Sequence, residues 1–128
     1  MAYVTPKTNW KSTDYFELED YNRITGNIRY LHDSADVLYH MNSLNAMTEN
    51  KTYESLIYAS EFNAIENNLA LLDADTYKAG ITGRTWAANG STPTFEDLNR
   101  IEGSVASLYA KLQAQYAKVK TFPLTLDT

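Results

Sequence analysis

His32, Asp36 and His40 are spaced four apart in a stretch of helical periodicity, which would set two imidazoles and a carboxylate on one helix face, a donor set suited to a transition metal. A solvated polar face opposite Ile24, Ile28 and Leu31 produces the same spacing, and that reading is adopted. Gly80-Ile81-Thr82-Gly83-Arg84 has the glycines of a phosphate loop. It lacks the Lys-Ser or Lys-Thr ending and the preceding strand, so it reads as a turn. The chain has no cysteine, which excludes thiolate chemistry and disulfides. With no nucleophile set beside a tuned base, the expectation is a non-enzyme with no catalytic residue, no cofactor and no metal.

The remaining candidates bind rather than react. Asn22, Asn63 and Asn99 each sit beside an apolar stripe position, where an amide can bond the backbone of an incoming segment. Trp10 and Trp86 each stand about a dozen residues ahead of such an Asn and read as anchors pinning an arm to the body; an interface hot spot is the sharper alternative. Tyr30, Tyr39, Tyr109 and Tyr116 lie on or near helical stripes and are explained as core with the hydroxyl at the rim.

These residues belong to a phrase that occurs three times. Residues 21–31 (YNRITGNIRYL) align without gaps to 62–72 (FNAIENNLALL) and to 98–108 (LNRIEGSVASL). In each copy the first, fourth, eighth and eleventh places are apolar, the spacing of one stripe of an α-helix. The stripes are Tyr21, Ile24, Ile28 and Leu31; Phe62, Ile65, Leu69 and Leu72; and Leu98, Ile101, Val105 and Leu108, the last continuing through Leu112, Tyr116 and Val119. The repeat signature is Asn22, Arg23 and Ile24; Asn63 and Ile65; and Asn99, Arg100 and Ile101. The middle copy departs from it, with Ala64 in place of Arg and no preceding Trp.

Three such stripes predict an all-α fold, a three-helix bundle of three related repeats, with helices near 18–41, 60–75 and 94–119. Thr94 with Glu96 and Asp97 marks the third start, Ser60 with Glu61 the second, and Glu19 with Asp20 the first. The organisation expected is one domain, 1–128: an N-terminal arm over 1–17, a helical core over 18–119 and a C-terminal arm over 120–128. In the latter, Phe122, Leu124 and Leu126 alternate as in a short strand and are candidate interaction residues. The connections near 42–59 and 76–93 exceed the usual helix-to-helix link of ~2–8 residues. Eighteen extended residues reach up to ~60 Å, so each could run back along a helix, and parallel and antiparallel packing both stay open.

A chain of 128 residues can bury one core without staples. The net charge of −5, with acids scattered among Lys and Arg, argues against a nucleic-acid partner and against mimicry of one. No run approaches the ~18 apolar residues of a membrane span, so no membrane partner is expected.

The phrases Thr8-Asn9-Trp10, Asp20-Tyr21-Asn22-Arg23-Ile24 and Asp97-Leu98-Asn99-Arg100-Ile101-Glu102-Gly103 resemble a motif of tailed-phage and prophage proteins of Gram-positive bacteria. In these short virion proteins, and in helical modules of tail, baseplate or fibre proteins, a Trp-containing arm leads to an Asp-Leu-Asn-Arg-Ile-Glu helix. The resemblance implies a virion structural protein made in the host cytoplasm, with other virion proteins as partners and a homo-oligomeric or otherwise symmetric assembly. A receptor- or carbohydrate-binding module of a fibre is the alternative.

Overall fold

The computed structural model describes residues 2–52, 59–81 and 83–121 of the chain. It contains three helices, α1 (Leu18–Leu38), α2 (Ala59–Asp75) and α3 (Phe95–Thr121), each packed on the other two. Every position of the three apolar stripes from the first to the eleventh place is buried, and Ile24, Ile65 and Ile101, at the same place in each copy, are each 0% exposed. The shared core is therefore the one the 3.6-residue periodicity describes.

Each helix starts with an acid at its third position: Asp20, Glu61 and Asp97. In α1 the Glu17 N–H donates to the Asp20 carboxylate at 2.8 Å, and in α3 the Thr94 N–H does the same to Asp97 at 2.9 Å. These are half or more of a capping box, and the negative charge also faces the positive end of each helix dipole. α1 ends at Leu38, three residues short of the boundary expected from the stripe. Past it, the Met41 N–H turns to the Asp36 carboxylate and Asn42 donates to Asp75 at the end of α2, which draws the chain across the bundle.

Hydrogen bonds between segments decide the helix directions. Asn42, just past α1, meets Asp75 at the C-terminal end of α2, whereas Lys51 bonds both Asn22 near the start of α1 and Glu61 in the first turn of α2. Between α2 and α3, Asp73 holds Ala79 to Ile81 at one end, while Trp86 and Arg84 reach Asn63 and Asp97 at the other. Between α1 and α3, Arg23 bonds Glu102 low in the bundle and the Tyr116 hydroxyl donates to the Ser34 carbonyl high in it. All three helices run parallel, and the long connections return along the grooves. Their positive ends converge at one end of the bundle, where the third-position acids offset the like-pole arrangement.

The segments before the helices are thus part of the packing. Arm 1 (residues 2–17), arm 2 (39–52 as described) and arm 3 (76–94) each lie on two helices. Trp10 and Trp86 are core members beside the three stripes, with Phe16 bridging Trp10 to Phe62. Residues 122–128 lie outside the described residues, and with them the sequence candidates Phe122, Leu124 and Leu126. Among the described residues no helix is long and apolar enough to cross a membrane.

Candidate functional site

The polar groups that recur along the chain converge on the three seams between helices, and they do so in the same way. Each signature Asn uses its amide as a two-pronged clamp on one residue of an arm. Asn99 donates to the Trp10 carbonyl at 3.1 Å and accepts from the Trp10 N–H at 2.7 Å. Asn63 does the same to Trp86 at 2.8 and 2.6 Å, and Asn22 to Lys51 at 2.9 and 2.8 Å. A side-chain amide is suited to this because it carries a donor and an acceptor side by side, matching the N–H and C=O of an extended residue.

A second Asn clamp, not foreseen from the sequence, sits five residues further along two of the helices. Asn27 brackets Val4 with bonds of 2.7 and 2.9 Å, and Asn68 brackets Asn45 with bonds of 3.1 and 2.7 Å. Both amides are fully buried. Each arm is therefore held at two points six residues apart, Val4 with Trp10 and Asn45 with Lys51. In the third unit Ser104 stands at this place and cannot form the paired bonds. Gly80, six residues before Trp86, is held instead by Asp73, whose carboxylate accepts the N–H groups of Ala79, Gly80 and Ile81. Burial alone would raise the Asp73 carboxyl; those three donors outweigh it and hold its pKa below the ordinary value.

Two seams also carry a lock of three side chains. Glu102 on α3, 1% exposed, accepts the Trp10 ring N–H at 2.7 Å, the Arg23 guanidinium at 2.8 and 2.7 Å, and the Lys7 backbone N–H at 3.1 Å. Glu66 on α2 accepts the Trp86 ring N–H at 3.1 Å and the Arg100 guanidinium at 2.7 Å from each of two nitrogens. The bonds to Glu102 and Glu66 raise the pKa of Arg23 and Arg100 above the ordinary arginine value, against the opposing effect of burial. A buried carboxylate is tolerable here because its charge is met by a bidentate guanidinium and its remaining lone pairs by N–H groups.

The α1–α2 seam replaces the whole lock at once. Thr25 stands where the other two helices place Glu66 and Glu102, Ala64 where they place Arg23 and Arg100, and Lys51 where the arms place Trp10 and Trp86. The Lys51 ammonium turns instead to Glu61 at 2.8 Å, and Thr25 donates back to the Tyr21 carbonyl.

The other sequence candidates form no site of their own. His32 contacts Asp33 and the Asn42 carbonyl through its two ring nitrogens, and α1 ends before His40, so His32, Asp36 and His40 do not share a helix face. Among the described residues no group of three metal-ligating side chains comes together. The N–H groups of Gly80 and Ile81 are taken by Asp73, so the backbone of these two residues faces the chain's own carboxylate. A groove of about 670 Å³ lies between the start of α2 and residues 87–93, and its lining, from Ala59 to Pro93, includes no titratable side chain. No family model, no curated protein and no solved structure matches the chain.

Proposed function

We propose that this protein is a non-enzymatic structural component of a phage virion, at the tail, baseplate or fibre attachment, acting through protein–protein assembly. The observation that carries the reading is where its reactive-looking side chains are spent. Both tryptophans and every signature asparagine hold arms to helices, and the Arg23–Glu102 and Arg100–Glu66 pairs hold helix to helix. Such chemistry builds a rigid module and commits these side chains to structure instead of turnover. The motif carrying the resemblance to virion proteins, a Trp arm with an Asn-Arg-Ile-Glu helix, is made of the residues that form the locks, which gives that resemblance a physical basis.

The arrangement also supports a symmetric partner. Three arm–helix units placed side by side in parallel repeat similar surfaces around the bundle, as a closed homo-oligomer would. The test is quantitative mass spectrometry of purified phage or phage-tail-like particles from the producing host. A fixed number of copies per particle is expected. Particles that lack the polypeptide altogether would sink the proposal.

A further inference from the structure

In two of the three seams the arm that binds the seam also joins its helices: arm 2 runs from α1 to α2, and arm 3 from α2 to α3. Arm 1 differs. It is clamped by Asn27 on α1 and by Asn99 and Glu102 on α3, yet it leads only into α1. Among the described residues no connecting segment spans α3 and α1, so among them that seam is closed by contacts alone.

Arg23–Glu102 and Tyr116–Ser34 join the two helices directly, and the arm adds its own contacts from a short stretch. The Tyr3 ring stacks on Tyr109 of α3 at 3.6 Å, Val4 and Trp10 take the two amide clamps, and Lys7 and Trp10 donate to Glu102. The residues linking this stretch to α1 make little contact with the core: Lys11 to Tyr15 are all exposed, Tyr15 at 84%. Once Phe16 is released from Trp10 and Phe62 and Asp14 from Lys7 and Lys11, the seven residues from Lys11 to Glu17 span about 23 Å extended, enough to carry the arm to a bundle lying alongside.

We propose that the α1–α3 seam is an exchange site that takes the N-terminal arm of a second copy of this chain in place of its own. A second copy is the fitting occupant because it brings the whole set at the right spacing: a ring for Tyr109, backbone for both amide clamps and an indole N–H for Glu102. The bonds the arm makes with the seam in trans are those it makes in cis, so what separates the two states is the linker: its Phe16 and Asp14 contacts in cis and the effective concentration of about millimolar it gives the chain's own arm. Dilute chains close on themselves; chains held side by side in an assembly exchange arms. This extends the assembly reading to contacts between copies, but it is tested on purified chain, so its failure leaves the particle measurement unaffected.

The experiment pairs two full-length variants. Trp10→Ala disables the arm and leaves the groove intact; Asn99→Ala with Glu102→Gln disables the groove and leaves the arm intact. Native mass spectrometry of each alone should show monomer, whereas an equimolar mixture should give a heterodimer in about tenfold excess over either homodimer, since only that pairing matches an intact arm to an intact groove. Circular dichroism checks that both variants keep their helices. If either does not, the milder pair Trp10→Phe and Glu102→Gln is mixed under the same conditions and the same heterodimer is expected. Folded variants that stay monomeric in the mixture would overturn the proposal.

Discussion

The Arg23–Glu102 pair offers the sharpest test of how the seams are held. Glu102→Thr deprives the Arg23 guanidinium, the Trp10 ring N–H and the Lys7 N–H of their shared acceptor, leaving Arg23 only Asp20 at 2.9 Å. Removing one member of a buried ion pair costs about 3–5 kcal/mol, because the partner charge stays desolvated. Arg23→Ala should fall in the same range, since the Glu102 carboxylate, 1% exposed, then keeps only two N–H donors. The double variant removes both charges and reproduces what the α1–α2 seam already carries, Thr25 facing Ala64. It should cost little more than the orphaned indole and backbone N–H groups, about 1–3 kcal/mol each. At the middle of these ranges the two singles are expected to sum to about 4 kcal/mol more than the double. Urea unfolding followed by circular dichroism at 222 nm measures all four corners of the cycle. Singles that add to the double within about 0.5 kcal/mol would mean that carboxylate and guanidinium are not coupled, and the account of the lock would be wrong.

Ile24→Ala, Ile65→Ala and Ile101→Ala should each destabilise by about 2–5 kcal/mol, because all three side chains are 0% exposed and leave a cavity. Chemical denaturation of the three variants checks this, and a loss under 1 kcal/mol at any of them would contradict a shared core. Asn27→Ala removes both bonds to Val4, so amide exchange should accelerate over residues 3–7 while the exchange of α2 stays as in the parent; uniform acceleration would assign Asn27 to global stability instead. Asp73 has a pKa below the ordinary value when folded, so its ionised form contributes stability that is fully present above about pH 4 and lost as the pH falls through the lowered value. Asp73→Asn should therefore cost stability at pH 7 and flatten the acid limb of a stability–pH curve, and an unchanged limb would contradict it.

The helices were legible because an eleven-residue phrase with apolar places at one, four, eight and eleven fixes both the period and the buried face. The role of Asn22, Asn63 and Asn99 was readable too, since an amide beside a core stripe must find partners, and an arm's backbone is the nearest supply. The locks were hidden for a specific reason. Trp10 and Trp86 precede the first and third helices, but neither binds the carboxylate of the helix it leads into: Trp10 reaches Glu102 on α3, the last helix, and Trp86 reaches Glu66 on α2. Comparing the copies place by place shows a missing Trp and a missing Arg in the second unit and a missing Glu in the first. Only the closed arrangement shows these to be three faces of one replaced lock. Helix direction was undecidable for a simpler reason: the connections are long enough for either choice, and the clamps that select the parallel one tie residues far apart in the chain.

The density of contacts follows the connectivity, although the presence of a lock does not: the α2–α3 seam is spanned by its own connecting segment and still carries the Glu66 lock. The α1–α2 seam is spanned by its own connecting segment, so its helices meet at an entropic cost already reduced by a short tether, and the Lys51–Glu61 pair with two amide clamps suffices there. The α3–α1 seam joins elements from opposite ends of the repeat array, where the loop to be closed is longest, with Trp10 and Asn99 separated by 89 residues. That seam has both amide clamps, the stacked Tyr3–Tyr109 pair and a carboxylate with four donors. Side-chain chemistry is densest where the chain itself gives least help. This is also why the arm's share of the seam can be remade between copies: it is non-covalent and carried on a short stretch, while Arg23–Glu102 and Tyr116–Ser34 keep α1 on α3 directly.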